Sequence, residues 1–116
     1  MQAWHVYFVR TRHGSLYTGI ATDVARRMKE HDRSPDRGAK YLRGRGPLEV
    51  VFQRRIGSQA LALRVEHRVK RLSKRKKEEI VHANLDARGL LDLLALRPRR
   101  GDPVGTKAAR WVPEAR

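Results

Sequence analysis

The chain contains no cysteine. Disulfides, thiolate metal sites and cysteine nucleophiles are excluded together, and a reducing compartment is compatible with the composition. No apolar run is long enough to span a bilayer, and the basic segments lack an aromatic-rich opposite face that would favour a membrane surface. The opening MQAWHVYFVR has neither a charged n-region nor an apolar stretch of signal-peptide length, so a cytoplasmic protein without membrane partners is expected. Several catalytic signatures are missing as well. There is no GxGxxG, no histidine–glutamate zinc helix and no legible serine–histidine–aspartate set, and RGRGP lacks the strand-to-helix context of a phosphate cradle. The histidines, at 5, 13, 31, 67 and 82, fit no standard zinc spacing.

Acidic residues are scarce too, 12 against 27 Lys+Arg, which leaves a formal charge of +15. A field of that sign and size attracts a polyanion, and nucleic acid is the first expectation. The 116 residues suffice for one domain, and 40% hydrophobic content supports a modest core.

Residues 4–10 alternate and are rich in β-branched and aromatic types, which reads as a strand. A polar turn over Thr11–Gly14 leads to a second strand, Ser15–Ile20, so the two form an antiparallel hairpin. Period-2 geometry puts Val6 and Phe8 on one face and Tyr7 and Val9 on the other, and it puts Tyr17 and Gly19 together. A helix follows, with Thr22 as its expected cap and Asp23 in its first turn. Val24 and Met28 form its apolar stripe, and Arg27 and His31, four apart, share a face. Residues 33–47 hold three glycines, two prolines and five basic residues, a loop on composition, with Tyr41–Leu42 as its one apolar pair.

Leu48–Arg55 reads as a third strand, ended by Gly57, and Ser58 as the cap of a helix whose buried stripe is Leu61, Val65, Val69 and Leu72. The run KRLSKRKKEEIV continues that helix or breaks near Ser73. A last helix over 85–96 is expected to close the core with Leu90, Leu91, Leu93 and Leu94. From Arg97 to Arg116 proline, glycine and basic residues without periodicity predict a mobile basic tail, so the domain is expected over 1–96. The predicted class is α+β: a three-stranded, mostly antiparallel sheet with flanking helices, in the order β-β-α-β-α-α.

Two tyrosines on a hairpin, then an arginine and a histidine on one helical face, then an acid among bases on a later helix form an unusual set. Phosphodiester hydrolysis needs a base for water, positive charge for the phosphoryl oxygens and a metal for the leaving oxygen. Magnesium commonly uses one or two carboxylates plus water and phosphate, so one glutamate suffices.

At these residues the chain resembles the GIY-YIG nucleases. The two name-giving triplets stand here as HVY (His5–Tyr7) and YTG (Tyr17–Gly19). Arg27 and His31 follow at the family spacing, and Glu66 lies on the later helix that carries the family glutamate. LYTGIATDVARRMKEH, GAKYLRGRGPLEVVF and ALRVEHRVKRLSKRKKE together resemble the small bacterial YhbQ-like branch, over residues 3–83. The resemblance implies a metal-dependent endonuclease acting on DNA, in repair or recombination. Tyr17 is then general base or water-orienting group, Tyr7 a hydrogen-bonding positioner, and Arg27 the phosphate ligand. His31 becomes the assisting partner or proton shuttle, and Glu66 the holder of one Mg²⁺ or Mn²⁺. Gly19 is expected to leave room for the substrate backbone. Lys40, Arg43 and Arg45 in the loop and Lys70, Lys74 and Arg75 in the basic run are expected phosphate contacts.

The first triplet departs from the family in His5 and Val6, although its tyrosine is kept. Asn84, the one asparagine, stands where many relatives carry an asparagine near the domain end. A separate recognition segment, which many relatives carry, is not read here, and a partner protein is the expected source of specificity.

Each residue taken alone has an ordinary reading: a cross-strand aromatic pair, a solvated Arg–His face, a Glu66–Lys70 surface pair. The alternative for the whole is a binding protein for DNA or RNA that keeps the fold with little catalysis.

Overall fold

Strand-forming residues on either side of a glycine turn pair before anything else can. In the computed structural model, which describes residues 2–33 and 47–97, they form β1 (Trp4–Arg10) and β2 (Leu16–Ala21), an antiparallel hairpin. Gly14 takes φ +88°, a left-handed conformation that strains any residue with a Cβ. Its N–H donates to the Thr11 carbonyl at 2.8 Å, and the Thr11 N–H donates to the Ser15 carbonyl at 3.0 Å, which closes the turn.

β3 (Glu49–Gly57) pairs antiparallel with the other edge of β1, so the sheet order is β2-β1-β3 with β1 central. Phe8 lies opposite Phe52, but the next partner of β1, Val9, lies opposite Val50, so Val51 is skipped. That bulge reverses the alternation. Phe52 packs with Phe8 in one cluster while Val50 packs with Tyr7 and Val9 in another, although an unbroken strand would put positions 50 and 52 on the same face.

The two faces carry different helices. α1 (Val24–Arg33) covers the face of Tyr7 and Val9, where Val24 and Met28 pack. Its cap is Asp23, whose carboxylate accepts from Arg26 N at 3.0 Å; Thr22, the expected cap, stands one residue too early for that N3 contact. The opposite face is covered by α2 (Gln59–Lys70), α3 (Lys74–Ala83) and α4 (Ala87–Leu93), whose Leu61, Val65, Val69, Ile80 and Leu90 are fully buried with Val6 and Phe8. The stretch after α2 does break: Ser73 is extended (φ −67°, ψ 160°) and accepts from Lys76 N at 3.2 Å. Three helices therefore follow β3. Ser58 caps α2 as expected, accepting from Leu61 N at 3.1 Å.

One expected core residue is outside the core. Leu93 is 43% exposed, because steps of ~100° rotate it off the α4 face shared by Ala87, Leu90, Leu91 and Leu94. Lys40, Arg43, Arg45, the Tyr41–Leu42 pair and the tail from residue 98, Trp111 included, lie outside the described residues. Among the described residues no helix is long and apolar enough to cross a membrane.

The hairpin end is tied to α3 by a bidentate pair. Arg10 Nη1 and Nη2 donate to Glu78 Oε2 and Oε1 at 2.6 and 2.9 Å. That hydrogen-bonded guanidinium, with Arg10 and Lys74 charge adding to it, holds the Glu78 carboxyl below its ordinary 4.5 despite partial burial. Because the folded carboxyl is the stronger acid, the contribution is present above about pH 4.5 and fades as pH falls through the folded value. Glu78→Gln should cost about 1 kcal/mol in urea unfolding at neutral pH, a partly exposed pair being worth no more. The gap to wild type should narrow as pH falls below about 4.5 and close once the folded carboxyl is protonated.

Candidate active site

Register decides where the tyrosines go. Tyr7 pairs with Gly19 across the hairpin, and Val9 pairs with Tyr17, so the tyrosines are diagonal neighbours on one face rather than directly opposed. The distal end of the Tyr7 ring lies over Gly19, where a Cβ would come within 2.5 Å of Tyr7 Cζ and hydroxyl oxygen. Gly19 is therefore required by the protein's own tyrosine. The room above it is filled, and the expectation that it stands open to a substrate backbone is corrected.

α1 lies over that ring and brings His31 and Arg27 to it. The Tyr7 hydroxyl is 3.2 Å from His31 Nε2, and both residues are buried. The His31 ring is tilted to Tyr7 at 6.5 Å and edge-on to Tyr17 at 6.2 Å, so it bridges the two tyrosines. Arg27 reaches the same hydroxyl by charge and a side-chain hydrogen bond, and its Nη1 is held by Glu30 Oε1 at 2.9 Å. The Tyr7 hydroxyl thus lies between a guanidinium, which can only donate, and an imidazole nitrogen.

Burial pushes the Tyr7 phenol up to about 12, with the Tyr17 hydroxyl adding to the rise and the Arg27 charge opposing it. Tyr7 is consequently a neutral hydrogen-bonding group at physiological pH. Tyr17, only partly buried at the β2 edge, is the more accessible phenol.

Glu66 comes from α2, whose buried residues pack on the opposite face of the sheet. It is close enough for its charge to raise Tyr7, and its Oε2 lies 3.3 Å from Lys70 Nζ. That ammonium is in turn 5.7 Å from the centroid of the Tyr17 ring. All five expected catalytic side chains are thus connected: Tyr7, His31 and Arg27 by direct contacts, Tyr17 through His31, and Glu66 through Lys70. Among the described residues no three His, Cys, Asp or Glu side chains cluster as a metal site. A single carboxylate suits a hard divalent cation whose other ligands are water and phosphate oxygen.

The expected phosphate contacts Lys74 and Arg75 are exposed and also paired within their own helix. Lys74 and Arg75 face the carboxylates of α3 itself, with Lys74 Nζ 4.0 Å from Glu78 and Arg75 Nε 3.5 Å from Glu79. Lys70 is the basic residue of that run that sits at the tyrosines. Asn84 is elsewhere: it ends α3 in a left-handed conformation (φ 52°) and its carbonyl and side chain accept from Arg54, a structural clamp. The site also has a member that sequence reasoning passed over. Glu30 holds Arg27, and its spacing of three from that arginine was the available signal.

Comparison with known proteins covers the sheet, α1, α2 and the candidate site residues. The family described as the GIY-YIG catalytic domain matches residues 3–79. A "UPF0213 protein" from Citrobacter koseri is 52% identical over 81 residues, covering 70% of this chain and 79% of that protein. The "UPF0213 protein YhbQ" of Salmonella typhimurium is 49% identical over the same shares. A solution NMR structure of the UPF0213 protein BH0048 from Bacillus halodurans is 40% identical, covering 81% of this chain and 98% of that one with a TM-score of 0.47.

Two outcomes check the geometry. Gly19→Ala should cost about 1–3 kcal/mol by chemical denaturation, since the new methyl must displace the Tyr7 ring. In an alkaline titration followed by phenolate absorbance, the step near pH 12 should vanish in Tyr7→Phe. Because the fold favours the neutral phenol, Tyr7 contributes fully below its unfolded value of about 10, and that contribution is lost as pH rises towards 12.

Proposed function

The chain belongs to the GIY-YIG family, in its UPF0213 (YhbQ-like) branch, and on that premise we propose that it is a divalent-metal-dependent endonuclease that hydrolyses DNA phosphodiester bonds. The observation that carries the reading is the convergence of two phenols, a guanidinium, an imidazole and a lone carboxylate at one edge of the hairpin. Packing alone has no use for an acid and a base set against two hydroxyls on a chain of +15 net charge.

Each side chain has a task that its surroundings favour. Arg27, permanently charged and held by Glu30 and Tyr7, binds the non-bridging oxygens of the scissile phosphate and stabilises the charge that builds there. Tyr17 orients the attacking water or, as its phenolate, accepts that water's proton. Tyr7 keeps its proton and positions Arg27 and His31, while His31 braces the Tyr17 ring edge. Glu66 would hold the divalent ion, Mg²⁺ or Mn²⁺, which when bound supplies Lewis-acid stabilisation of the phosphoryl and leaving oxygens. The new bond joins the water oxygen to phosphorus as the ester P–O bond breaks. The setting that fits such an activity is DNA repair or recombination in the cytoplasm, with specificity supplied by a partner protein.

A second reading, a DNA- or RNA-binding protein with little catalysis, is favoured by one observation. Lys70 neutralises Glu66, which removes the repulsion that a bare carboxylate would exert on phosphate.

A nicking assay on supercoiled, single-stranded and branched DNA with Mn²⁺, Mg²⁺ or chelator separates the two. Tyr17→Phe and Glu66→Gln should each lower metal-dependent cleavage by about 100-fold or more, while salt-sensitive binding stays near wild type. Wild-type protein that binds every substrate and cuts none selects the second reading. Variants that cut like wild type remove these residues from the mechanism.

A further inference from the structure

We propose that Lys70 is the resident counter-ion of Glu66, that an incoming divalent cation displaces it, and that the displaced ammonium then serves phosphate beside Tyr17. The inference rests on the reading of Glu66 as the metal carboxylate.

Lys70 stands at two contacts at once. Its Nζ lies 3.3 Å from Glu66 Oε2 and 5.7 Å from the Tyr17 ring centroid. An ammonium and a divalent ion at one carboxylate put three positive charges against one negative, so each weakens the other. Exposure decides which group yields. The Lys70 side chain is 50% exposed and the Glu66 side chain 20%, so the flexible lysine moves while the glutamate stays. An exposed i,i+4 pair is weak, and an ion can therefore open it at small cost. The ring of Tyr17 keeps the freed cation near the site, because an aromatic face attracts an ammonium.

Two consequences follow for the ion-free protein. Glu66 does not repel nucleic acid, since its charge is matched, and Lys70 does not serve phosphate, since its charge is spent on Glu66. Ion binding reverses the second. Divalent ion and phosphate then bind cooperatively, and linkage makes the effect reciprocal.

The test uses the full chain at fixed ionic strength, with Mn²⁺ binding read from the electron paramagnetic resonance of free Mn²⁺ and no nucleic acid present. Lys70→Met should bind Mn²⁺ about two- to fivefold more tightly than wild type, the fold-change that corresponds to losing an exposed ion pair. Lys70→Arg should restore wild-type affinity. Lys76→Met makes the same charge change on α3, where Lys76 faces Glu79, and should leave Mn²⁺ affinity near that of wild type. In a second arm, a short DNA duplex is bound by Tyr17→Phe protein with and without Mn²⁺. Adding Lys70→Met to it should remove at least about half of the Mn²⁺-dependent gain in affinity.

No tightening in Lys70→Met, or equal tightening in Lys76→Met, overturns the displacement while Glu66 remains the metal ligand if Glu66→Gln abolishes Mn²⁺ binding. Tightening without loss of the DNA gain overturns the phosphate role. If Glu66→Gln binds Mn²⁺ as wild type does, the metal reading and this proposal fall together.

Discussion

A phenol buried against a glycine has one place to put its hydroxyl. The ring of Tyr7 runs across β2 at Gly19, and that single packing choice sets the height and direction of the oxygen on which Arg27 and His31 converge. The cost of burying the hydroxyl is met by two partners, a guanidinium that can only donate and an imidazole nitrogen. The same burial keeps the phenol neutral. The chemistry of the site therefore divides between a tyrosine fixed as scaffold and a second tyrosine left at the sheet edge with room to react.

The central position of β1 makes this division possible. Its alternating side chains serve two cores: Val6 and Phe8 face α2, α3 and α4, whereas Tyr7 and Val9 face α1. A strand at the sheet edge could not anchor both. The bulge at Val51 has a matching consequence on the other side of β1, since it lets β3 contribute Phe52 to one core and Val50 to the other. Tyr17, on the edge strand β2, meets His31 of α1 and Lys70 of α2.

Much of this was legible in the chain because it depends on local spacing. The hairpin, the α2 stripe of Leu61, Val65 and Val69, the Ser58 cap and the shared face of Arg27 and His31 all follow from periods of 2 and 3.6 and from short-range hydrogen bonding. What was not legible depends on partners distant in sequence. The reason for Gly19 lies twelve residues earlier, in Tyr7, and the exposure of Leu93 follows from how a two-turn helix is rotated against β3. The Asp23 cap was missed for a different reason, a boundary displaced by one residue, where Thr22 and Asp23 are equally good caps. Of the candidate set, the members and the helix faces could be read from spacing, but the Lys70 link between Glu66 and Tyr17 could not. Three expected basic contacts, Lys40, Arg43 and Arg45, lie outside the described residues.

Charge is distributed with more economy than a net +15 suggests. Four of the described acids are placed against particular cations: Glu30 on Arg27, Glu66 on Lys70, Glu78 on Arg10 and Lys74, Glu79 on Arg75 and Lys76. Two of these pairings brace structure far from the tyrosines, and two lie at them. A bracing pair is best left intact, whereas a pair at a site is useful when a ligand can exchange with one member. Arg27 and Lys70 differ in this respect: the guanidinium is held by a second partner and stays in place, while the ammonium is held by one carboxylate and a ring face. The fixed cation suits the orientation of a phosphate, and the loose one suits exchange with an ion. A site built on one carboxylate can in this way keep its charge balanced in both states, which a site of several acids on so basic a chain would not need.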